Sequence, residues 1–165
     1  MIVLGIDPGM AETGYGLIAV EGSRMRAVDH GLVTTAARLP AAQRLAAIHE
    51  RVAELIAQHA PDAAALEDLY VGANPRTILS VGQARGAVLA ACGLAGLDAA
   101  GYPPAEVKKS VCGFGRADKG QMLRMVTAIL GLDPPPATDH AADALAVAVC
   151  HATRARVSTR VAVAG

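Results

Sequence analysis

Two short apolar runs in this chain end in a carboxylate, and this pattern restricts the fold more than any other feature. The first run, residues 2–6, is followed by Asp7, and the second, residues 63–66, is followed by Glu67. Short apolar runs bounded by turn residues are typical of buried strands. Open α/β sheets place their sites at the carboxyl ends of parallel strands. If the two strands are parallel neighbours, both carboxylates lie at one edge of the sheet.

The segment after the first carboxylate predicts a sharp turn. Pro8 and Gly9 stand where a type II turn favours proline and then requires a positive φ. Side chains alternate along a strand, so Asp7 shares a face with Gly5, which leaves room beside the carboxylate. Unpaired buried carboxylates are costly, so a functional role is expected for both Asp7 and Glu67.

A third polar group lies on a predicted helix near the carboxyl end. His140 and Asp143 are three residues apart and therefore face the same way. Asp139 is four residues before Asp143, so spacing alone leaves open whether Asp139 or His140 joins a site. Asp139 could also be the N-cap of the helix. Several hard anionic ligands without a cysteine cage favour Mg²⁺ or Mn²⁺.

The remaining pattern predicts an α/β fold. Residues 41–59 carry an apolar stripe at helical spacing, and a second helix is predicted over residues 75–94. Asp118 and Gln121 have the spacing of an N-terminal capping arrangement, and Gly131 would end that helix. Further strands are predicted at residues 15–20, 25–35 and 97–102, the first two as an antiparallel hairpin.

Composition limits the class of protein. A length of 165 residues suits one domain with a sizeable core. The three cysteines are odd in number and far apart, which predicts neither a disulfide framework nor a zinc site, so a reduced cytoplasm is expected. The sequence suggests no export leader, and its longest charge-free apolar stretch, residues 86–97, is too short to span a bilayer. No membrane association is therefore expected.

The basic residues are unevenly distributed, although the formal net charge is zero. All three lysines, Lys108, Lys109 and Lys119, fall within twelve residues, and Arg116 and Arg124 join them. Zero net charge argues mildly against a nucleic-acid-binding protein. Such a cluster forms either a solvated face or a surface that contacts phosphates, and the residues alone leave both open.

Two glycines interrupt the helix predicted over residues 75–94. Gly82 and Gly86 are four residues apart, and each costs about 1 kcal/mol relative to alanine in a helix. A flat stripe on which another backbone packs closely would offset this cost. That backbone could belong to the sheet of the same subunit or to the same helix of a second copy.

Seven motifs follow one another along the chain: LGIDPG, GYG, ALEDLY, VGQARG, VKKSVCGFG, ADKGQM and HAADALAVA. Their order and spacing, over roughly residues 1–152, resemble the RuvC family of Holliday junction resolvases. The resemblance implies an RNase H-like domain over residues 1–153, with a five-stranded mixed sheet flanked by helices, and a flexible basic tail over residues 154–165. It also implies an endonuclease of DNA recombination and repair. Such an enzyme nicks two opposing strands of a four-way junction symmetrically and leaves 5′-phosphate and 3′-hydroxyl ends.

The same resemblance implies roles for individual residues. The implied catalytic and metal-binding set, for two Mg²⁺ or Mn²⁺ ions, is Asp7, Glu67, His140 and Asp143. The family usually carries Asp where this chain has His140, so Asp139 stays an alternative. The residues implied to contact DNA are Tyr70, as an aromatic at the junction centre, with Arg76, Lys108, Arg116 and Lys119. Gly82 and Gly86 would lie at a homodimer interface, and RuvA and RuvB branch-migration proteins are implied as partners.

Other classes of protein share parts of this pattern. Actin-like ATPases and sugar kinases also open with a strand, an Asp and a glycine turn, but they need a second lobe for which this chain is too short. Another RNase H-like nuclease would share the metal site but not necessarily the loop with Tyr70 or the dimer. A junction-binding protein without chemistry would not need four converging ligands.

Overall fold

A computed structural model describes residues 1–68 and 74–163, with side chains described up to residue 155. The elements in chain order are β1 (Ile2–Asp7), β2 (Glu12–Glu21), β3 (Arg24–Thr34), α1 (Ala41–His59), β4 (Ala63–Glu67), α2 (Pro75–Leu94), β5 (Ala99–Tyr102), α3 (Pro104–Cys112), α4 (Lys119–Leu130) and α5 (Asp139–Val163). The sheet has five strands in the order β3-β2-β1-β4-β5. The predicted α/β class with a five-stranded mixed sheet is confirmed.

The strands that carry the two carboxylates are parallel neighbours. β1 pairs with β4 in a register that places Ile6 beside Leu66, so Asp7 and Glu67 follow at the same edge. β5 continues the parallel part of the sheet beyond β4. β1 pairs antiparallel with β2, and β2 pairs antiparallel with β3. The second of these pairs is the predicted hairpin.

Helices cover both faces of the sheet because successive strand side chains point to opposite faces. α1 and α2 pack on one face, around buried residues that include Leu4 and Val88. α3, α4 and α5 lie on the other face, around a core that includes Val3 and Leu145.

Glycines on β1 and β2 allow α5 to lie directly on these strands. A Cβ at Gly5 would overlap the carbonyl oxygen of Ala144, and a Cβ at Gly14 would overlap that of His140. The space predicted at Gly5 is therefore filled by the backbone of α5. Because Gly14 pairs with Asp7 in the sheet, this close approach places the first turn of α5 over the end of β1.

The predicted type II turn after Asp7 is wrong. Gly9 does not have the positive φ that the third position of such a turn requires. Glycine is needed there for a close approach instead, since a Cβ would overlap the carbonyl oxygen of Glu12. Thr13 fixes the loop, because its hydroxyl donates to the Gly9 carbonyl at 2.7 Å and accepts from the Gly9 amide at 3.3 Å.

Most other element bounds agree with the sequence. α1 and α2 have the predicted limits. The capping arrangement at α4 is confirmed, since the Asp118 side chain accepts from the Gln121 amide and the Gln121 side chain accepts from the Asp118 amide. Gly131 ends that helix in the left-handed conformation. β2 begins at Glu12 rather than residue 15, and β5 begins at Ala99 rather than residue 97.

The sequence predicts a flexible basic tail over residues 154–165. α5 continues as a helix to Val163, so the described backbone after residue 153 is helical. The division into a domain over residues 1–153 and a tail over residues 154–165 stays a prediction.

α2 is apolar along much of its length. An 18-residue window of this helix has a mean hydropathy of 1.3, so length and composition alone would allow it to cross a bilayer. Core helices pass the same test, and α2 contributes Ala84, Val88, Ala91 and Cys92 to the core shared with α1. Only 22% of that window is buried, so α2 also has a broad exposed face.

Candidate active site

Three carboxylates meet at the edge of the sheet where β1 and β4 end. Asp7 closes β1, Glu67 closes β4, and Asp143 reaches the same point from α5. One oxygen from each of them lies within 4.8 Å of those of the other two. This acidic cluster (Asp7, Glu67 and Asp143) is the convergence that the sequence predicted, and its spacing allows one metal ion to contact all three side chains.

The acidic cluster is electrostatically unfavourable without a cation. Burial raises the pKa of Glu67 to about 8, and the charges of Asp7 and Asp143 add to this effect. Burial also raises the pKa of Asp143 to about 6, again with a contribution from Asp7. The pKa of Asp7 is raised by its burial as well. A bound cation would offset this repulsion, and an all-oxygen cluster suits a hard divalent ion such as Mg²⁺ or Mn²⁺.

His140 lies against the acidic cluster. Its Nδ1 is 2.6 Å from Oδ2 of Asp7, and its Nε2 is 3.6 Å from Oε2 of Glu12. Burial lowers the pKa of His140, but the hydrogen bond to Asp7 and the surrounding negative charges outweigh burial, so the pKa is raised. When protonated, His140 therefore neutralises part of the charge on Asp7.

Asp139, the alternative to His140, binds Lys119 instead of a member of the acidic cluster. Its carboxylate is 64% exposed and binds Nζ of Lys119 at 2.8 Å. That hydrogen bond is the main reason that the pKa of Asp139 is lowered. Asp139 is not the N-cap either, since the Thr138 side chain accepts from the Ala141 amide.

The predicted basic residues differ in their relation to the acidic cluster. Burial is the main cause of the raised pKa of Glu67, and the positive charge of the half-buried Lys108 on α3 partly opposes it. The charge of Lys119, at the start of α4, likewise opposes the rise in the pKa of Asp7 and of Asp143. Lys109 and Arg116 are exposed. Arg76 is exposed in the first turn of α2, where its amide donates to the side chain of Asn74.

A cleft of about 310 Å³ opens beside the acidic cluster. The end of β1, the start of α2 and His140 contribute to its walls, including Pro8, Gly9, Thr77 and Ile78. Tyr70 lies outside the described residues. A larger groove, of about 840 Å³, lies between β3 and the end of α4 and includes none of the acidic cluster.

The surface of α2 around Gly86 is open. A Cβ at Gly86 would meet no described atom within 4 Å, so packing within the described subunit does not explain this glycine. Leu79 is 65% exposed and Leu94 is 82% exposed on the same helix. Gly82 is half-buried.

Two groups near the acidic cluster were missed by sequence reasoning. Glu12 faces the second nitrogen of His140, and Arg85 binds the residues at the end of β4. Glu12 comes close to Asp7 because β1 pairs antiparallel with β2, which begins at Glu12. Arg85 lies within the VGQARG motif, but no local pattern identifies the partner of a side chain on a helix.

Comparison with known proteins gives a consistent result. A family model described as crossover junction endodeoxyribonuclease RuvC matches residues 3–151. A protein of that description from Moorella thermoacetica is 48% identical over 153 residues, which cover 93% of this chain and 92% of the relative. The solved structure of Thermus thermophilus RuvC in complex with Holliday junction substrate has a TM-score of 0.92 at 40% identity and covers 96% of this chain and 97% of its own. A yeast mitochondrial Holliday junction resolvase shares the fold, with a TM-score of 0.67 at 13% identity.

Proposed function

The chain belongs to the RuvC family of crossover junction endodeoxyribonucleases, and we propose that it resolves Holliday junctions with the carboxylates of the acidic cluster. The observation that carries this proposal is the convergence of Asp7, Glu67 and Asp143 within 4.8 Å at the edge of the sheet. A buried cluster of this charge has little structural value of its own. It is well suited to holding the cations that phosphodiester hydrolysis requires.

The proposed ligands are the acidic cluster and His140, holding two Mg²⁺ or Mn²⁺ ions. When bound, such a pair of ions supplies an activated water and stabilises the leaving 3′-oxygen, which gives 5′-phosphate and 3′-hydroxyl ends. The side chains themselves must lose their protons to bind. His140 contacts Asp7 directly, so it holds a proton beside the cluster until a cation replaces that proton.

We propose that Lys108 and Lys119 hold the DNA backbone next to the carboxylates, with Arg76 and Arg116 further along the surface. The positive charges of Lys108 and Lys119 act on the acidic cluster. A phosphate that would otherwise be repelled by three carboxylates is thereby accepted at this edge. Tyr70 is proposed to stack on a base at the junction centre.

The exposed face of α2 is proposed as the interface of a homodimer. Gly86 is open there, and the exposed Leu79 and Leu94 are apolar. Two identical subunits related by a two-fold axis would present two acidic clusters to a two-fold junction, which accounts for paired nicks. We also propose a cytoplasmic location and contact with the branch-migration proteins RuvA and RuvB.

A cleavage assay tests this function. Purified protein is incubated with a mobile four-way junction, a matched duplex and a fork, in Mg²⁺ and separately in Mn²⁺, and each strand is labelled in turn. We expect paired nicks in opposing junction strands and little cleavage of the duplex. Asp7→Asn protein is the control for contaminating nuclease. Equal cleavage of duplex and junction, or none of either, would contradict the proposal.

A further inference from the structure

Arg85 of α2 binds two consecutive residues at the end of β4. Its Nη1 donates to the carbonyl oxygen of Glu67 at 2.9 Å, and its Nη2 lies 2.8 Å from Oδ1 of Asp68. The Arg85 side chain is 20% exposed and the Asp68 side chain is 38% exposed, so this contact is half-buried. Because the guanidinium is planar and rigid, holding both groups at once fixes the peptide that joins them.

The neighbouring strand β5 completes this anchor. The Asp68 amide donates to the carbonyl of Tyr102 at 2.9 Å. A Cβ at Gly101 would overlap Oδ1 of Asp68 and lie 2.9 Å from Nη2 of Arg85. The ion pair therefore rests on the backbone of β5, and glycine at position 101 makes room for it.

Glu67 needs such an anchor once it has lost its proton, because its charged neighbours then repel it. The carboxylates of Asp7 and Asp143 lie within 4.8 Å, and like charges at this distance push the side chains apart. The pairing between β1 and β4 ends at Leu66, one residue before Glu67. Arg85 and β5 thus hold the backbone where pairing with β1 has stopped.

We propose that Arg85 is a positioning residue, which acts through the Glu67 backbone to keep that carboxylate in place for metal binding. This role rests on the proposed function of the acidic cluster, and Arg85 acts in it through its hydrogen bond to the Glu67 carbonyl. Asp68 is its partner in this role, and Gly101 gives the pair its space. Loss of groups that support metal ligands typically costs about 10–100-fold in metal affinity or activity.

Titration of the DNA-free protein with Mn²⁺, followed by the electron paramagnetic resonance of free Mn²⁺, tests the proposal directly. The variants are Arg85→Gln, Arg85→Lys, Asp68→Asn and Gly101→Ala. The direction of the change in Mn²⁺ affinity distinguishes a positioning role of Arg85 from a purely electrostatic one. On charge alone, removing the positive Arg85 would favour a nearby cation. We expect Arg85→Gln to bind Mn²⁺ roughly tenfold more weakly, with a smaller loss in Arg85→Lys.

The other variants make the same point without changing Arg85. Asp68→Asn and Gly101→Ala should weaken Mn²⁺ binding and slow single-turnover junction cleavage, while junction affinity stays within about twofold. Arg51→Gln, which breaks the ion pair with Glu54 on α1 and removes the guanidinium from the ring of Tyr15, is the control and should change neither. The double variant Arg85→Gln with Asp68→Asn should be little worse than Arg85→Gln alone, because Arg85→Gln already removes the contact with Asp68.

Several results would overturn the proposal. These are unchanged or tighter Mn²⁺ binding in folded Arg85→Gln, and unchanged binding in both Asp68→Asn and Gly101→Ala. Should Arg85→Gln fail to fold, the other two variants decide. If wild-type protein binds Mn²⁺ but cuts no junction, the proposed function fails while the Mn²⁺ titration still tests Arg85.

Discussion

Nδ1 of His140 lies 2.6 Å from Oδ2 of Asp7, and this contact joins the first strand to the last helix. In the proposed metal site, a cation bound to Asp7 would compete with the imidazole for this carboxylate oxygen. Glu12 on the opposite side of the ring, 3.6 Å from Nε2, favours the protonated form. We therefore expect metal binding at the proposed site to release the proton that His140 and Asp7 share.

The imidazole at position 140 should set the metal preference. Nitrogen ligands suit Mn²⁺ better than Mg²⁺, so cleavage should be faster in Mn²⁺ and should fall on acidification through roughly pH 6 to 7. His140→Asp should move the preference toward Mg²⁺. Asp139→Asn is the matched control, because Asp139 binds Lys119 instead of the acidic cluster. An unchanged preference in His140→Asp would exclude His140 as a ligand.

The metal-free protein should lose stability as pH rises. The pKa of Glu67 is about 8 and that of Asp143 about 6, both raised by burial. Groups with a raised folded pKa contribute stability that is present below the unfolded pKa and lost as pH rises through the folded pKa. The melting temperature in chelator should therefore fall from pH 5 to 9, and saturating Mn²⁺ should reduce this fall. Glu67→Gln should flatten it between roughly pH 6 and 8. A melting temperature that rises over this range would contradict these shifts.

The acidic cluster was accessible to sequence reasoning for a physical reason. Apolar runs that end in Asp7 and Glu67 are local signals, and parallel pairing brings their ends together. The contacts that support the cluster were not accessible in this way. Arg85 reaches Glu67 across 18 residues, and its partner depends on how α2 packs on the sheet. The turn at Gly9 was mispredicted because Pro-Gly also fits a loop in which glycine relieves a close approach.

Each carboxylate of the acidic cluster should be required for cleavage but not for junction binding. Asp7→Asn, Glu67→Gln and Asp143→Asn remove a ligand charge and leave the surrounding surface unchanged. Cleavage should fall by more than the roughly 100-fold that loss of a merely supporting group costs. Single-turnover cleavage and gel-shift assays on the same junction measure the two effects. Cleavage by Asp7→Asn above about a tenth of wild type would contradict the two-metal proposal.

The proposed dimer should depend on the open face of α2. Gly82→Leu together with Gly86→Leu places two bulky side chains on the proposed interface, so we expect folded monomers that lose paired nicking. Ala128→Leu adds a similar side chain to an exposed position on α4 and is the control. Sedimentation velocity reports the oligomeric state. If the double variant still sediments as a dimer, the interface lies elsewhere.

Substitution of each of the three lysines should distinguish effects on DNA binding from effects on DNA cleavage. Lys108 and Lys119 act on the charges of the acidic cluster, whereas Lys109 is exposed and has no such effect among the described contacts. Neighbouring residues on a helix point about 100° apart, so Lys109 is a natural control for Lys108. Lys119 is bound to Asp139 at 2.8 Å, a contact that DNA phosphates would have to replace.

We therefore expect Lys108→Ala and Lys119→Ala to reduce cleavage more than binding, because misplacing the phosphate is costly for in-line attack. Each neutralised phosphate contributes about 0.9 to the slope of log affinity against log salt, so either variant should make that slope shallower by roughly one unit. Lys109→Ala should change neither quantity. Salt titrations of junction binding, with single-turnover cleavage of the same variants, measure both. Equal and small effects at all three positions would mean that the lysines form only a solvated face.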